Sequence, residues 1–395
     1  MLLGRPSTSG STVVHSWGGR GVSREAAESL AVLEALERWS GVPPEPTRLG
    51  AEAIHCTQAE LPARALTPKD LWVHRDAVYN KPGSRFAQLY ADERLWWRRG
   101  EVVSSEEVVY VPFSSAYFAV GGAAERGGLK RYVQENSNGM AVGQSLRHAT
   151  LNGLLELIER DAFLATWWRR GPAACWFQIA PGSFPMSMAA GVAAMKVTEA
   201  GFDISVGVVP SKGSTVTAIA VATGSTAALP RHVVAAACGT SRGDAVRKAI
   251  EEIASTTRLI MRLLPRVQRS DVQKPSDVLN AMHHWLLYAQ AAGDALWNDS
   301  GFVVPEDIPV WSWDAEQRSD STIDDELECL VSALSDEELE PIVVDLTRPE
   351  LAGVGLSAAK VFMPGGTLPL TFGYGMERLD QFEDGDEGLL PHPLG

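Results

Sequence analysis

Apolar residues recur at three- and four-residue intervals over Ser23–Ser40, Ser145–Trp168, Gly243–Leu264 and Pro275–Ala292, and that spacing predicts four helices. Between them lie runs of strand length with β-branched or aromatic content: Val102–Phe113, Phe202–Val209, Val216–Val221, Val233–Ala237, Ile308–Trp313, Pro341–Leu346 and Ala359–Met363. The order lacks regular βαβ alternation, so the predicted class is mixed α/β of the α+β kind. Pro265–Pro275 reads as a polar link, and Asp314–Glu340 as an acidic stretch around an amphipathic segment, a solvated surface first and a docking face second. After Leu379 the chain is acidic and rich in Gly and Pro, ending Leu389-Leu390-Pro391-His392-Pro393-Leu394-Gly395, too proline-rich for a helix.

Composition narrows the function classes. The chain has 395 residues, 45% hydrophobic and 21% charged, which suits a globular protein and excludes wholesale disorder. Forty-nine acidic residues against thirty-five basic ones give a formal charge of -14, so nucleic acid is not an expected partner. The first sixteen residues are polar, without the apolar core of a secretory signal. No apolar run approaches the roughly 18 residues that span a bilayer, so no membrane partner and a cytoplasmic location are expected. Cys56, Cys175, Cys238 and Cys329 lie far apart without a CxxC pair, and read as small buried residues rather than zinc ligands or disulfides. Trp96-Trp97-Arg98-Arg99 and Trp167-Trp168-Arg169-Arg170 read as aromatic core edges with arginines reaching outward, in preference to a base-stacking surface.

One internal echo carries chemistry. Leu33-Glu34-Ala35-Leu36-Glu37-Arg38 recurs as Leu155-Glu156-Leu157-Ile158-Glu159-Arg160, each copy on a predicted helix that follows a Gly-containing stretch. Residues three and four apart share a helix face, so Glu34, Glu37 and Arg38 project together, as do Glu156, Glu159 and Arg160. The second helix is apolar almost everywhere else, which predicts burial on most sides. Buried carboxylates must be paired, protonated or metal-bound. Two such claws in one pocket suit a hard divalent cation, Mg²⁺ above all, and Mg²⁺ implies phosphate. An exposed helix face with internal ion pairing is the plain alternative. No GxxxxGK[ST] phosphate loop is present, so a nucleotide must be held otherwise, and Asn136-Ser137-Asn138-Gly139 before a helix offers amides and backbone N–H groups.

These residues resemble the YcaO domain family, ATP-dependent enzymes that activate backbone amides of peptides. Gly19-Arg20-Gly21 with Glu34, Glu37, Arg38 and Ser40 is similar to one family block. Ser137-Asn138-Gly139-Met140-Ala141-Val142-Gly143, continuing to Gly153, Leu154, Glu156, Glu159, Arg160 and Asp161, is similar to a second. Ala245–Arg258 and Ala358–Gly366 resemble two further family segments, so the likeness runs from about residue 18 to the end. It implies a YcaO-like fold with pseudo-symmetric halves and ATP between them, a domain over 18–380, an N-terminal segment 1–17 and a Pro-containing tail 381–395. It further implies Mg²⁺ on Glu34, Glu37, Glu156 and Glu159, with Arg38 and Arg160 on phosphates or ligands. Asn136, Ser137, Asn138, Glu252 and Ser255 would meet the nucleotide.

The implied reaction is cyclodehydration: a Cys, Ser or Thr of a ribosomally made precursor peptide attacks the preceding carbonyl, the oxyanion takes the γ-phosphate of ATP, and phosphate leaves. Thioamide or amidine formation by an external nucleophile is the runner-up, and a non-catalytic scaffold subunit the third reading. Two positions depart from the family pattern: Leu30 stands where a serine is expected and Ser255 where a glutamine is expected. Pro391 and Pro393 half-match the Pro-rich ending of azoline-forming members, which leans toward azolines. The family block begins by residue 19, so leader-peptide capture is expected from an E1-like or other peptide-binding partner, in a complex in which this chain could also pair as a homodimer.

Overall fold

The computed structural model describes residues 2–6, 12–16, 23–67, 70–71, 76–84, 86–90, 92–118, 130–168, 175–266, 272–302, 304–313, 321–373 and 390–394. The Gly19-Arg20-Gly21 block, Arg169 and Arg170, 314–320 of the acidic stretch and 381–389 of the tail lie outside them.

Two antiparallel-rich sheets frame the molecule. The larger runs Arg64–Ala65 (β4), Val108–Pro112 (β6), Leu95–Val102 (β5), Ile342–Asp345 (β12), Ser357–Phe362 (β13) and Met140–Gly143 (β7), with Ala53–Cys56 (β3) also pairing β5. The smaller is a four-stranded antiparallel meander of Cys175–Ile179 (β8), Phe202–Pro210 (β9), Val216–Gly224 (β10) and His232–Gly239 (β11). Leu2–Pro6 (β1) and Thr12–Ser16 (β2) pair with each other in the polar N-terminal segment.

Seven helices of eight residues or more lie among the described residues: Arg24–Ser40 (α1), Leu146–Trp168 (α2), Ala189–Glu199 (α3), Arg242–Leu263 (α4), Ala281–Ala289 (α5), Ala292–Asp299 (α6) and Ile323–Asp336 (α7). Ser23 starts α1 by accepting the Ala26 N–H, and Ser241 starts α4 by accepting that of Asp244. Helix α2 lies between the sheets, packed on β7 and β13 of one and on β10 and β11 of the other. That position explains its apolar circumference, with Leu154, Ile158, Phe163 and Leu164 fully buried. Helices α3 and α4 cover the opposite face of the meander, where Val206, Ala218, Ala220 and Ala235 meet Ala245, Ala249 and Ile253.

Several elements differ from the expectation. Val102–Phe113 is not one strand: Ser104-Ser105-Glu106-Glu107 turns the chain, with Glu106 at φ 59°, and β5 and β6 form a hairpin. Pro275–Ala292 is a short 3₁₀ turn followed by α5, which stops at Gln290. There the Gln290 side-chain amide turns inward to donate to Val272 O and Leu286 O, and the chain restarts as α6. Ile308–Trp313 makes a single bridge, Val310 to Gln178, because Pro309 has no N–H to extend a ladder. Trp97 and Trp167 sit in the core, 0% and 2% exposed, and Trp96 and Trp168 pack partly buried at its edge. Arg98 does not reach outward: it is buried, paired to Glu52 at 2.6 Å and to the Asp345 carbonyl at 2.7 Å. Cys56 and Cys238 are buried as expected, whereas Cys175 and Cys329 are exposed.

Candidate functional site

Helices α1, α2 and α4 and strand β11 enclose a cavity of about 460 Å³. Into it face Glu34, Glu37 and Arg38 from α1, Glu156, Glu159 and Arg160 from α2, and Lys248, Glu252 and Thr256 from α4. The two LExxER copies, 122 residues apart in the chain, therefore share one chamber. Their surroundings are unequal: α2 is buried on most sides, while α1 leaves Leu30 and Val32 exposed.

The chamber strains its carboxylates. Burial raises Glu37 from the ordinary 4.5 to about 8, against the pull of Arg38, and the nearby Glu156 and Glu34 add to the rise. Burial likewise raises Glu159 to about 8; Arg160 opposes this, Glu156 and Glu252 add to it, and a hydrogen bond from the Cys238 backbone N–H lowers it. Arg38 lies 3.4 Å from Glu37, and both keep about a fifth to a quarter of their side-chain surface exposed (25% and 21%). The arginines thus compensate only part of the negative charge. Among the described residues no three His, Cys, Asp or Glu groups form a ready-made metal cage. The donor set instead fits Mg²⁺, which keeps waters and binds through a few carboxylates together with substrate phosphates.

Glu156 and Arg160 have a second task. Glu156 Oε2 accepts the Gly139 N–H at 2.6 Å, and its Oε1 accepts from Arg160 Nη2 at 2.7 Å. Arg160 Nη1 also donates to Asn138 Oδ1, while Asn138 Nδ2 donates to the Leu370 carbonyl. Lys360 fastens the same loop by donating to the carbonyls of Asn136 and Asn138 at 3.1 and 2.7 Å, and burial pushes its ammonium down to about 7. Gly139 takes φ +73°, and a Cβ there would lie 2.5 Å from the Val361 carbonyl. Gly153 on α2 lets that loop seat, since a Cβ would stand 2.7 Å from Gly139 O. The Ser-Asn-Gly run is therefore a rigid support under the chamber.

This separates the sequence-derived candidates into three places. Glu34, Glu37, Arg38, Glu156, Glu159, Arg160 and Glu252 meet in the chamber. Asn136 and Asn138 line a smaller hollow of about 80 Å³ on the other side of the loop, and Ser137 contributes its carbonyl to the Met140 N–H. Ser255 lines an adjoining groove of about 520 Å³ between α3, α4 and Ala27 of α1, and its hydroxyl donates to the Glu251 carbonyl at 3.4 Å. Lys248 and Thr256 went unnoticed in the sequence, although both stand four residues from Glu252 and so share its face. Trp285, Leu370 and Leu394 line the chamber with no local signal at all.

Leu394 arrives with a fully packed segment 390–394. The Leu390 carbonyl accepts from the indole N–H groups of Trp167 and Trp168. His392 stacks on His284 with ring centroids 4.1 Å apart. Gly373 N–H donates to His284 Nε2, so Nδ1 carries the proton and donates to the His392 carbonyl at 2.7 Å. Both rings are buried, and burial pushes both below the ordinary histidine range, His284 to about 4.

A family model described as YcaO cyclodehydratase, ATP- and Mg²⁺-binding, matches residues 18–366. The chain belongs to the YcaO family. Its mixed helices and sheets are similar to a solved heterocyclase in complex with substrate and cofactor, at a TM-score of 0.67 and 21% identity, over 91% of this chain and 46% of that one. YcaO from Methanopyrus kandleri bound with AMPPCP and Mg²⁺ is similar at 0.61 and 18%, over 92% of this chain and 82% of that one. A curated relative, an uncharacterized protein in the tfuA 3' region of Rhizobium leguminosarum bv. trifolii, is 28% identical over 167 residues, 42% of this chain and 35% of its own. The chain spans about a third of the length of the curated relatives it matches. ATP and Mg²⁺ are the cofactors of this YcaO family, and no helix among the described residues is long and apolar enough to cross a membrane.

Proposed function

We propose that this YcaO chain is an ATP- and Mg²⁺-dependent subunit that converts Cys, Ser or Thr residues of a precursor peptide to azolines. The observation that carries the reading is the convergence of carboxylates from α1, α2 and α4 on one chamber, where burial, with like charge added, raises Glu37 and Glu159 to about 8. Glu34, Glu37, Glu156 and Glu159 would hold Mg²⁺, and the bound Mg²⁺ and ATP would supply the phosphoryl group that makes an amide oxygen a leaving group. Arg38 presents its guanidinium to the chamber for phosphate charge. Arg160 instead holds Glu156 and Asn138 in place, a positioning task. The nucleoside end would extend into the adjoining groove, where Ser255 lies, while Asn136, Ser137 and Asn138 support the chamber from behind. No side-chain nucleophile of the chain is needed, because the attacking group belongs to the peptide and the protein contributes positioning and electrostatics.

Azoline formation is supported by the packed segment 390–394, which brings Leu394 to the chamber wall. Thioamide formation is the second reading, favoured by the relative from a tfuA region. Product mass separates them: each azoline loses one water, whereas each thioamide exchanges oxygen for sulfur. A leader-binding partner protein, and a cytoplasmic site of action, belong to both. Calorimetry with AMPPCP and Mg²⁺ on the chain and on Glu156→Gln tests the common core. Binding by the parent and its loss in the variant is the expected result, and absence of binding by the parent, alone and with its partner protein, turns the chain into a scaffold.

A further inference from the structure

Strand β11 is the edge of the four-stranded meander, and its free side forms a wall of the chamber. Val234, Ala235, Ala236, Ala237 and Cys238 line the cavity consecutively. Side chains of a strand alternate between faces, so an unbroken run of lining residues means that the cavity follows the strand's edge, where the backbone is presented. The pairing with β10 fixes which backbone groups face it. Gly224 N–H donates to the Arg231 carbonyl at 3.1 Å, so odd-numbered residues of this strand turn toward β10. Even-numbered residues therefore turn outward, away from β10 and toward the cavity that they line.

The N–H and C=O groups of Val234 and Ala236 therefore point into the chamber, although both residues are buried at 1% and 6% exposure. Among the described residues no backbone hydrogen bond outside the β10 ladder reaches either of them. Buried backbone groups left in this state are rare, and an open sheet edge is a template for another extended chain. A phosphate offers only acceptors. A peptide backbone offers donor and acceptor together, repeating about every 7 Å as the edge does.

We propose that the free edge of β11 binds the substrate peptide as an added strand, with its backbone paired to Val234 and Ala236; this rests on the peptide-modifying reading above. The register leads to the chemistry. Cys238, two residues beyond Ala236, lines the same cavity as Glu156 and Glu159, so a peptide lying on this edge runs to the carboxylates. Main-chain pairing supplies the affinity, and the peptide's alternate side chains point to the α2 and α4 sides of the chamber, where Leu155 and Lys248 stand. A site that reads backbone rather than side chains accepts Cys, Ser and Thr at successive positions of one peptide.

The test uses the full chain with AMPPCP and Mg²⁺ and, as probe, a Gly/Ser/Cys peptide of about ten residues at millimolar concentration. Residue-resolved amide exchange is expected to slow by about tenfold or more at Val234 and Ala236, the scale of one hydrogen bond each. Val233, Ala235 and Ala237, already facing β10, keep their rates. Methylating the probe's backbone nitrogens one at a time is expected to weaken binding at every second position. Unchanged exchange at Val234 and Ala236, or a methylation pattern without alternation, overturns the edge-strand site. AMPPCP calorimetry on the same sample reads the nucleotide site independently. Protection without nucleotide binding supports the edge and sinks the ATP reading, and nucleotide binding without protection does the reverse.

Discussion

Glu37 and Glu159 set the pH behaviour of the chamber in the cation-free chain. Each titrates at the ordinary 4.5 in the unfolded chain and at about 8 in the fold. Between those values the folded chain keeps protons that the unfolded chain has lost, so without cation stability is expected to fall as pH rises from 4.5 toward 8. Melting in EDTA at pH 5.5 and pH 8 checks the sign. A cation needs the carboxylates ionised, so Mg²⁺-nucleotide binding is expected to tighten over the same window and to release protons at pH 7. Calorimetry in two buffers of different ionisation enthalpy counts them. Glu37→Gln and Glu159→Gln replace groups that are largely protonated at neutral pH, so they are expected to abolish ATP turnover while leaving the melting temperature of the metal-free chain unchanged or higher. Arg160→Met differs: it strips charged partners from Glu156 and Asn138, and a loss of about 3 kcal/mol in urea unfolding is expected.

Helix α2 shows how an element carries both support and site. Its i, i+3, i+4 spacing places Glu156, Glu159 and Arg160 together, and Gly153 on the same helix admits the Ser-Asn-Gly loop. Gly153→Ala would push a methyl to within 2.7 Å of the Gly139 carbonyl, and a destabilisation of about 1–3 kcal/mol with loss of nucleotide binding is expected from urea titration and calorimetry. Helix α4 gives the complementary case. Glu252 and Thr256 face the chamber and Ser255 faces the groove, so the helix divides the two spaces. Leu30, the other departure from the family pattern, is 43% exposed on α1 and does not line the chamber. The carboxylate faces of α1 and α2 were legible because a helix period is local. The break between β5 and β6 was not, because it depends on a turn with Glu106 at positive φ, nor was that between α5 and α6, because it depends on where the Gln290 amide finds buried partners.

At the scale of the molecule, segment 390–394 ties α2, α5 and the stretch 368–373 to the chamber. Deleting Pro391–Gly395 removes the partner of His284 and takes Leu394 from the wall. A lower melting temperature is expected, from about 1.5–3 kcal/mol for the Leu394 side chain alone, with peptide modification falling more than AMPPCP affinity. Equal losses in turnover and calorimetry would contradict a role for the segment in the reaction. The segment's proline pattern was visible in the sequence, but its burial was not, since nothing local announces that Tyr288, Trp167 and His284 wait for it. The family was legible in the resemblance of the Gly-Arg-Gly and Ser-Asn-Gly blocks and their ExxER continuations, and the mixed α+β class and the repeated carboxylate pairs in local patterning and in spacings within single helices. Tertiary structure alone decided that α1, α2 and α4 share one chamber, that the Ser-Asn-Gly loop stands behind it, and that the open edge of β11 faces it. Those relations join residues separated by tens to hundreds of positions, and only packing against the two sheets brings them within reach of one another.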